Sequence, residues 1–240
     1  MKVAYISTPH FADCDIPLVG ELQKKSDVFY FLKVSESTKR LTLIKIDSLN
    51  KRGGVYPASD LPELAYLSAD IDLSKTYIVN LPGKHDWSLC NLLAIFRMVC
   101  FILHLNVNIV HLTWPPRYGE FFTYLLRKRT VITMHDPLPH SSEDAWLNRF
   151  HRNVCFRLLD TFILLNDIQK KSFIEAYHMQ HKRVALSRLS AYTNLRNVQP
   201  QYPDINNYVL FFGGISSHKG VEYLCEAMDE VCKKHPDVKL

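Results

Sequence analysis

Glycine is scarce in this chain, eight in 240 residues, and none of the eight stands in a GxGxxG or GxxxxGK[ST] string. The first absence excludes the turn by which dinucleotide-dependent dehydrogenases hold a pyrophosphate; the second excludes the loop by which P-loop enzymes wrap a triphosphate. No GxSxG elbow presents a serine nucleophile on a strand-to-helix turn. The six cysteines, at 14, 90, 100, 155, 225 and 232, form no CxxC pair and no Cys/His metal spacing. They read as small core residues in a reducing cytosol. The opening MKVAYIS runs from one lysine into four apolar residues, too short for a signal peptide. The longest apolar stretch, 89–105, is interrupted by Asn91, Arg97 and His104 and reads as a buried helix rather than a membrane span. No repeat at solenoid spacing occurs. A cytoplasmic protein is the expectation.

What the chain does contain is the composition of a globular protein, 47% hydrophobic and 12% aromatic, enough to build a sizeable core. The net charge of +5 fits a mild preference for anions, either phosphorylated metabolites or an acidic membrane surface. The basic residues are scattered without an aromatic–basic stripe, so nucleic acid is not expected as a partner.

Apolar runs rich in β-branched and aromatic residues occur at 2–7, 28–35, 76–82, 108–114, 130–136 and 161–166. They predict strands, with a weaker one near 183–189 and a short one at 41–46 inside the basic segment 36–58. Helices are predicted near 16–25, 60–68, 88–105, 117–128, 143–159 and 167–178. This alternation implies an α/β fold, a doubly wound parallel sheet with a Rossmann-like layout. The polar, proline-bearing NVQPQYPDINN at 197–207 reads as a linker between a domain over 1–196 and the opening of a second over 208–240.

In open parallel sheets ligands bind beyond the carboxyl ends of the strands. The first such end offers Ser7, His10, Asp13 and Asp15 on one loop, suited to hydroxyl-rich substrates or simply to solvation. The fifth offers His135 and Asp136 before Pro137. They form either a strand-end turn capped by Asp136 or an imidazole aimed at a substrate hydroxyl or leaving-group oxygen. His135 with His140 lacks a partner carboxylate at ligand spacing, so no metal is expected. The last end is YVLFF (208–212), followed by Gly213, Gly214, a capping Ser217, Lys219 in the first helical turn, and an apolar stripe through Val221, Leu224, Cys225, Met228, Val231 and Cys232. A strand that turns through glycines into a helix N-terminus can cradle phosphate.

Taken whole, YVLFFGGISSHKGVEYLCEAMDEV resembles the start of the second domain of retaining glycosyltransferases of the GT-B fold, family 4, in which an apolar strand leads to FxGRI, then KG and an amphipathic helix. HPDVKL at 235–240 is similar to that helix's ending; MKVAYIS, NIVHL and TVITMHDP are similar to strands of the family's first domain. The resemblance implies that His135 contacts the donor sugar and the scissile phosphate region. It implies that Lys219 clamps the donor pyrophosphate, with Gly213, Gly214 and Asp136 on the donor side. His10, Asp13 and Asp15 would face the acceptor. It further implies transfer of a sugar, with retention, from a nucleotide-diphosphate sugar to a glycan or polyprenyl-linked acceptor. The nucleotide sugar is then a substrate, and no bound cofactor or metal is needed. Bacterial surface polysaccharide synthesis would be the setting. Two departures stand out: the arginine of FxGRI is Gly214 here, and the family's Glu-x7-Glu would lie past Leu240. The chain is therefore expected to end inside the second domain with half a donor site. It would then act alone as a non-catalytic acceptor-binding module or as half of a split enzyme. A peripheral contact with the inner membrane face is the last expectation, through Arg149, Arg152 and Arg157 with Trp146, Phe150 and Phe156 on the helix near 143–159, and through the basic stretch 39–52.

Overall fold

The computed structural model describes residues 1–47, 50, 52–138, 146–191, 207–213, 215 and 219–240. Its strands are β1 (Lys2–Ser7), β2 (Asp27–Ser35), β3 (Gly54–Pro57), β4 (Thr76–Leu81), β5 (Ile109–Leu112), β6 (Thr130–Met134), β7 (Thr161–Leu164) and β8 (Arg183–Leu186). They form one sheet in the order β3-β4-β2-β1-β5-β6-β7-β8. Every pairing is parallel except that of β3 with β4. Helices α1 (Ala12–Gln23), α2 (Leu89–Leu105), α3 (Trp146–Leu158), α4 (Ile168–Ala176) and α5 (Val221–Lys234) complete the regular elements, with shorter 3-10 segments between them.

The central strands are buried on both faces, as continuous apolar runs require. On one face Val3, Tyr5, Tyr30 and Leu32 meet Ile16 and Val19 of α1 and Leu64 of the 3-10 segment Pro62–Ala69. On the other, Ile6, Phe31, Val110 and Ile132 meet Ile95, Met98 and Ile102 of α2, Phe156 of α3 and Phe173 of α4. This is the doubly wound, Rossmann-like sheet that the alternation predicts, and β1, β2 and β4 begin and end within two residues of expectation.

Several elements differ. The 41–46 stretch is not a strand; Ile44 and Ile46 instead drop into the α1-side core from a loop. The edge strand comes later, at Gly54–Pro57, where Pro57 lacks an N–H and an edge position tolerates it. Pro62–Ala69 and Tyr118–Arg129 wind as 3-10 rather than α-helix. Helix α1 starts four residues early and carries Pro17 inside it. Asp13 and Asp15 therefore lie in a helix and not on a loop.

YVLFF at 208–212 is no sheet strand: among the described residues its one ladder contact is a parallel bridge between Tyr208 and Lys239, and Phe212 is 84% exposed. The linker reading at 197–207 falls outside the described residues except for Asn207.

Gly20 of α1 packs so closely on the chain near Asp70 that an added Cβ would lie 2.0 Å from the Asp70 carbonyl oxygen. Alanine ordinarily favours a helix over glycine by about 1 kcal/mol. Here a backbone clash opposes it, and Gly20→Ala should lower unfolding stability by about 2 kcal/mol. An unchanged or raised midpoint in urea denaturation would show that this contact is not tight.

Candidate functional site

Strand β1 pairs with β2 on one side and β5 on the other, so the chain reverses direction across the sheet at this point. The segments leaving the carboxyl ends of β1, β5 and β6 meet there. Phe11 joins them: its ring stacks on His135 at 4.0 Å between centroids and 13° between planes, and on Trp114 at 5.9 Å and 28°. Residues 9–11 form a 3-10 turn that presents exposed His10 beside this stack. The sequence-predicted His10 and His135 are thus brought to one edge, from elements more than a hundred residues apart.

His135 follows the last residue of β6 and is half-buried, and its Nε2 is buried without a hydrogen-bond partner among the described residues. Burial lowers its pKa, against the opposite pull of Asp136 and then Asp13. A neutral imidazole with one free nitrogen can donate to or accept from a ligand oxygen without losing a bond it already holds. His10 is also lowered, by burial and then by the charge of Arg117. Deeper on the same side, His111 is pushed down to about 4 by burial and then by His135, and its Nε2 lies 2.7 Å from Thr133 Oγ1.

The acidic residues divide. Asp13 stays half-buried in the first turn of α1, its Oδ1 accepting from the Cys14 N–H at 3.0 Å. Asp15 is buried and turned toward the sheet, where it accepts from Tyr5 Oη at 2.7 Å and from Ser7 Oγ. It braces α1 against β1 rather than facing solvent. Burial raises its pKa to about 6, against the lowering effect of the Ser7 and Tyr5 hydrogen bonds.

Three cations that the sequence reading did not single out for the site complete this edge. Arg117, exposed in the segment after β5, approaches Asp86 at 3.8 Å, and its charge reaches both His10 and His151. The WPPR string directly after a strand was the available signal. Lys33 at the end of β2 holds Glu120 of the 3-10 segment Tyr118–Arg129 at 2.7 and 2.8 Å. Arg152 of α3 is buried, donating through Nη2 to the carbonyls of Asp136 (2.9 Å) and Pro137, with its guanidinium over the Phe156 ring at 5.6 Å. It clamps the backbone that carries His135. Its Nε is buried without a partner among the described residues. The predicted membrane face of this helix is corrected accordingly: Arg152 and Phe156 point inward, and Trp146 and Phe150 remain exposed.

The C-terminal elements do not join this edge through any described hydrogen bond. Gly213 has a φ of +110° with nothing within 4 Å of a Cβ built there. Gly214, Ser217 and His140 lie outside the described residues. Lys219 is exposed, precedes α5 instead of sitting in its first turn, and takes no ion pair among the described residues. On α5 itself only Met228 of the apolar stripe is buried. Among the described residues no three His, Cys, Asp or Glu side chains converge as metal ligands.

No family model matches the chain, and no curated protein matches its sequence. Among solved structures, UDP-N-acetylglucosamine 2-epimerase from Rickettsia bellii aligns with a TM-score of 0.51 at 10% identity, over 79% of this chain and 45% of that one. More distant are UDP-GlcNAc 2-epimerase from Neisseria meningitidis (TM-score 0.48, 12% identity, 78% of this chain and 46% of that one) and a glycosyltransferase from Rickettsia africae (0.45, 12%, 98% and 49%). This chain spans less than half the length of each. At such identity the likeness is one of fold, a Rossmann-like sheet of the GT-B kind.

Asp15 and His111 make opposite demands on acid stability. The folded chain holds a proton on Asp15 between the ordinary aspartate value of 3.8 and about 6, where the unfolded chain has released it, so this contribution is lost as pH rises through that window. The unfolded chain protonates His111 from 6.5 downward, whereas the folded chain resists to about 4, so that contribution is lost as pH falls. Asp15→Asn removes the buried charge and should raise stability at neutral pH by on the order of 1–3 kcal/mol. It should also unmask a steep loss between pH 6.5 and 4. Thermal unfolding across pH is the check; a variant less stable at neutral pH would mean that the hydroxyls require the carboxylate.

Proposed function

We propose that this chain supplies the acceptor-side part of an enzyme acting on nucleotide-diphosphate sugars, a glycosyltransferase that transfers a sugar with retention to a glycan or polyprenyl-linked acceptor. The observation that carries the reading is the buried, unpartnered Nε2 of His135, held by the Phe11 stack at the point where the sheet reverses, with Arg117 and His10 at the same edge. A neutral imidazole so placed is suited to hydrogen-bond a donor hydroxyl or the glycosidic oxygen, and nearby positive charge suits a departing diphosphate. The fold shared with a UDP-sugar-processing enzyme supports the substrate class. Residues 1–196 would form the acceptor-side domain, 197–207 the linker, and 208–240 the start of the donor-side domain with Gly213, Gly214 and Lys219. Asp136 would lie on the donor side, and His10 with Asp13 toward the acceptor. The setting would be the cytoplasm, at the inner membrane face, in surface polysaccharide synthesis, with no cofactor beyond the donor substrate. No helix among the described residues is long and apolar enough to cross a membrane.

A second reading draws on the described donor-side residues: among them nothing lies within 4 Å of a Cβ built at Gly213, and Lys219 is exposed and takes no ion pair. On that reading the chain binds an acceptor without catalysing transfer, or works beside a second chain that completes the donor site.

Calorimetric titration with a panel of nucleotide-diphosphate sugars distinguishes the two. The first reading expects binding that His135→Ala weakens roughly two- to tenfold, the worth of a hydrogen bond between neutral groups. The second expects no donor binding and retained affinity for acceptor glycans. Equal affinities in the wild type and His135→Ala for every donor and acceptor would overturn both.

A further inference from the structure

Helix α2 is apolar on two opposite faces, with Arg97 and His104 confined to one flank, whereas packing on a sheet needs only one such face. Its inner face, Ala94, Ile95, Met98, Val99 and Ile102, is packed in the core. Its outer face repeats at i, i+4, i+7, i+11 and i+14 through Leu89, Leu93, Phe96, Cys100 and Leu103. The four large side chains of that stripe are 71, 44, 43 and 52% exposed. The stripe runs about 20 Å along the helix. Phe121 and Leu125 of the neighbouring 3-10 segment widen it, joined through Phe122, whose ring lies 5.3 Å from Phe96 and 4.2 Å from Phe121. A contiguous exposed patch of this kind marks a contact surface.

Charge identifies the occupant. From residue 87 to residue 135 the sequence holds one acid, Glu120, and Lys33 engages it. At the Leu103 end stand Arg127, Lys128 and Arg129, all exposed. Arg129 ties this cluster to the end of α2, donating through Nη1 to Asn106 Oδ1 at 3.2 Å and to the Val107 carbonyl at 2.7 Å. Asp160, which the charge of Arg127 reaches, is already held by Lys182 at 2.7 Å. At the other end Trp87, 59% exposed, stacks on His85. A second copy of the chain would bring the same face, whose one carboxylate near an end, Asp86, already has Arg117 at 3.8 Å and is outnumbered by the three cations. An anionic bilayer surface meets all three features: headgroup phosphates for the arginine–lysine cluster, acyl chains for the stripe, and the interface for the tryptophan.

We infer that the α2 face, with Phe121 and Leu125, rests on an anionic lipid membrane, lying on it without crossing. Nothing in this docking requires His135 to meet a donor sugar, so it stands or falls separately from the catalytic reading.

Flotation of the full 240-residue chain with phosphatidylcholine vesicles, with and without phosphatidylglycerol, tests it. Binding should require phosphatidylglycerol and be released by salt. Leu93→Ser with Phe96→Ser should cut the partition coefficient more than about tenfold. Arg127→Gln with Lys128→Gln should do the same for the phosphatidylglycerol-dependent part. Because these side chains are exposed, each variant should keep its thermal midpoint. Trp146→Ser with Phe150→Ser on α3 should leave binding unchanged. Retained flotation in the α2 variants, loss in the α3 variant alone, or a wild-type dimer that Phe96→Ser dissociates and that ignores vesicles would each overturn the assignment.

Discussion

The two-sided pairing of β1 is the constraint from which the rest of the molecule follows. Parallel strands cannot be joined by tight turns, so each connection must climb over a face of the sheet. Helix α1 carries the chain from β1 to β2 on one side, and α2 carries it from β4 back past β1 to β5 on the other. Those two departures lead to opposite faces and diverge at the carboxyl edge, leaving an opening between them. That opening is where open α/β sheets take their ligands, and it is where Phe11, Trp114 and His135 stack.

Keeping the opening in shape places polar groups where they are costly. Tyr5, Ser7 and Asp15 form a hydrogen-bonded set beneath β1, and Tyr30 packs edge-on against Tyr5 at 5.9 Å. Across the sheet, Lys33 and Glu120 pin the segment after β5, and Arg152 holds the segment after β6. A half-satisfied buried group is expensive, and a fully bonded one specifies geometry. Arg152 serves as a clamp because one guanidinium nitrogen, Nη2, donates to two successive carbonyls while the planar group lies over the Phe156 and Tyr177 rings, a stacking that a lysine ammonium does not offer. The residue that aims His135 is therefore a cation whose charge is spent on backbone oxygens and aromatic rings.

The parallel core was readable because buried strands need uninterrupted apolar runs, and 2–7, 76–82 and 161–166 are such runs. His135 and His10 were readable because sheet ends are short polar strings. Helix α1 misled because Pro17 is most at home in a first helical turn, yet here a further turn and a half precedes it. That turn and a half is what rotates Asp15 inward. Arg152 was hidden because an arginine at helical spacing among aromatics looks the same whether the face is wet or packed; its four-residue offset from Phe156 fits both. YVLFF failed as a strand because strand formation depends on neighbours, and among the described residues only Lys239 pairs with it.

Arg97 shows how the same charge can be read correctly and still conceal a surface. In the sequence it interrupts the longest apolar run and argues against a crossing of the bilayer. In the fold it lies to one flank of α2, donating to the Gly53 carbonyl at 2.7 Å and so fixing the approach to β3. The outer stripe is left without a charge along its length. Mean hydropathy over 89–105 cannot distinguish a helix enclosed by protein from one with a second apolar face turned outward. What separates them is which residues the sheet takes: Ala94, Met98 and Ile102 go inward, and the larger share of leucine and phenylalanine stays outside. A helix needs only one apolar face to pack on a sheet, so the other must be explained by something the sheet does not supply.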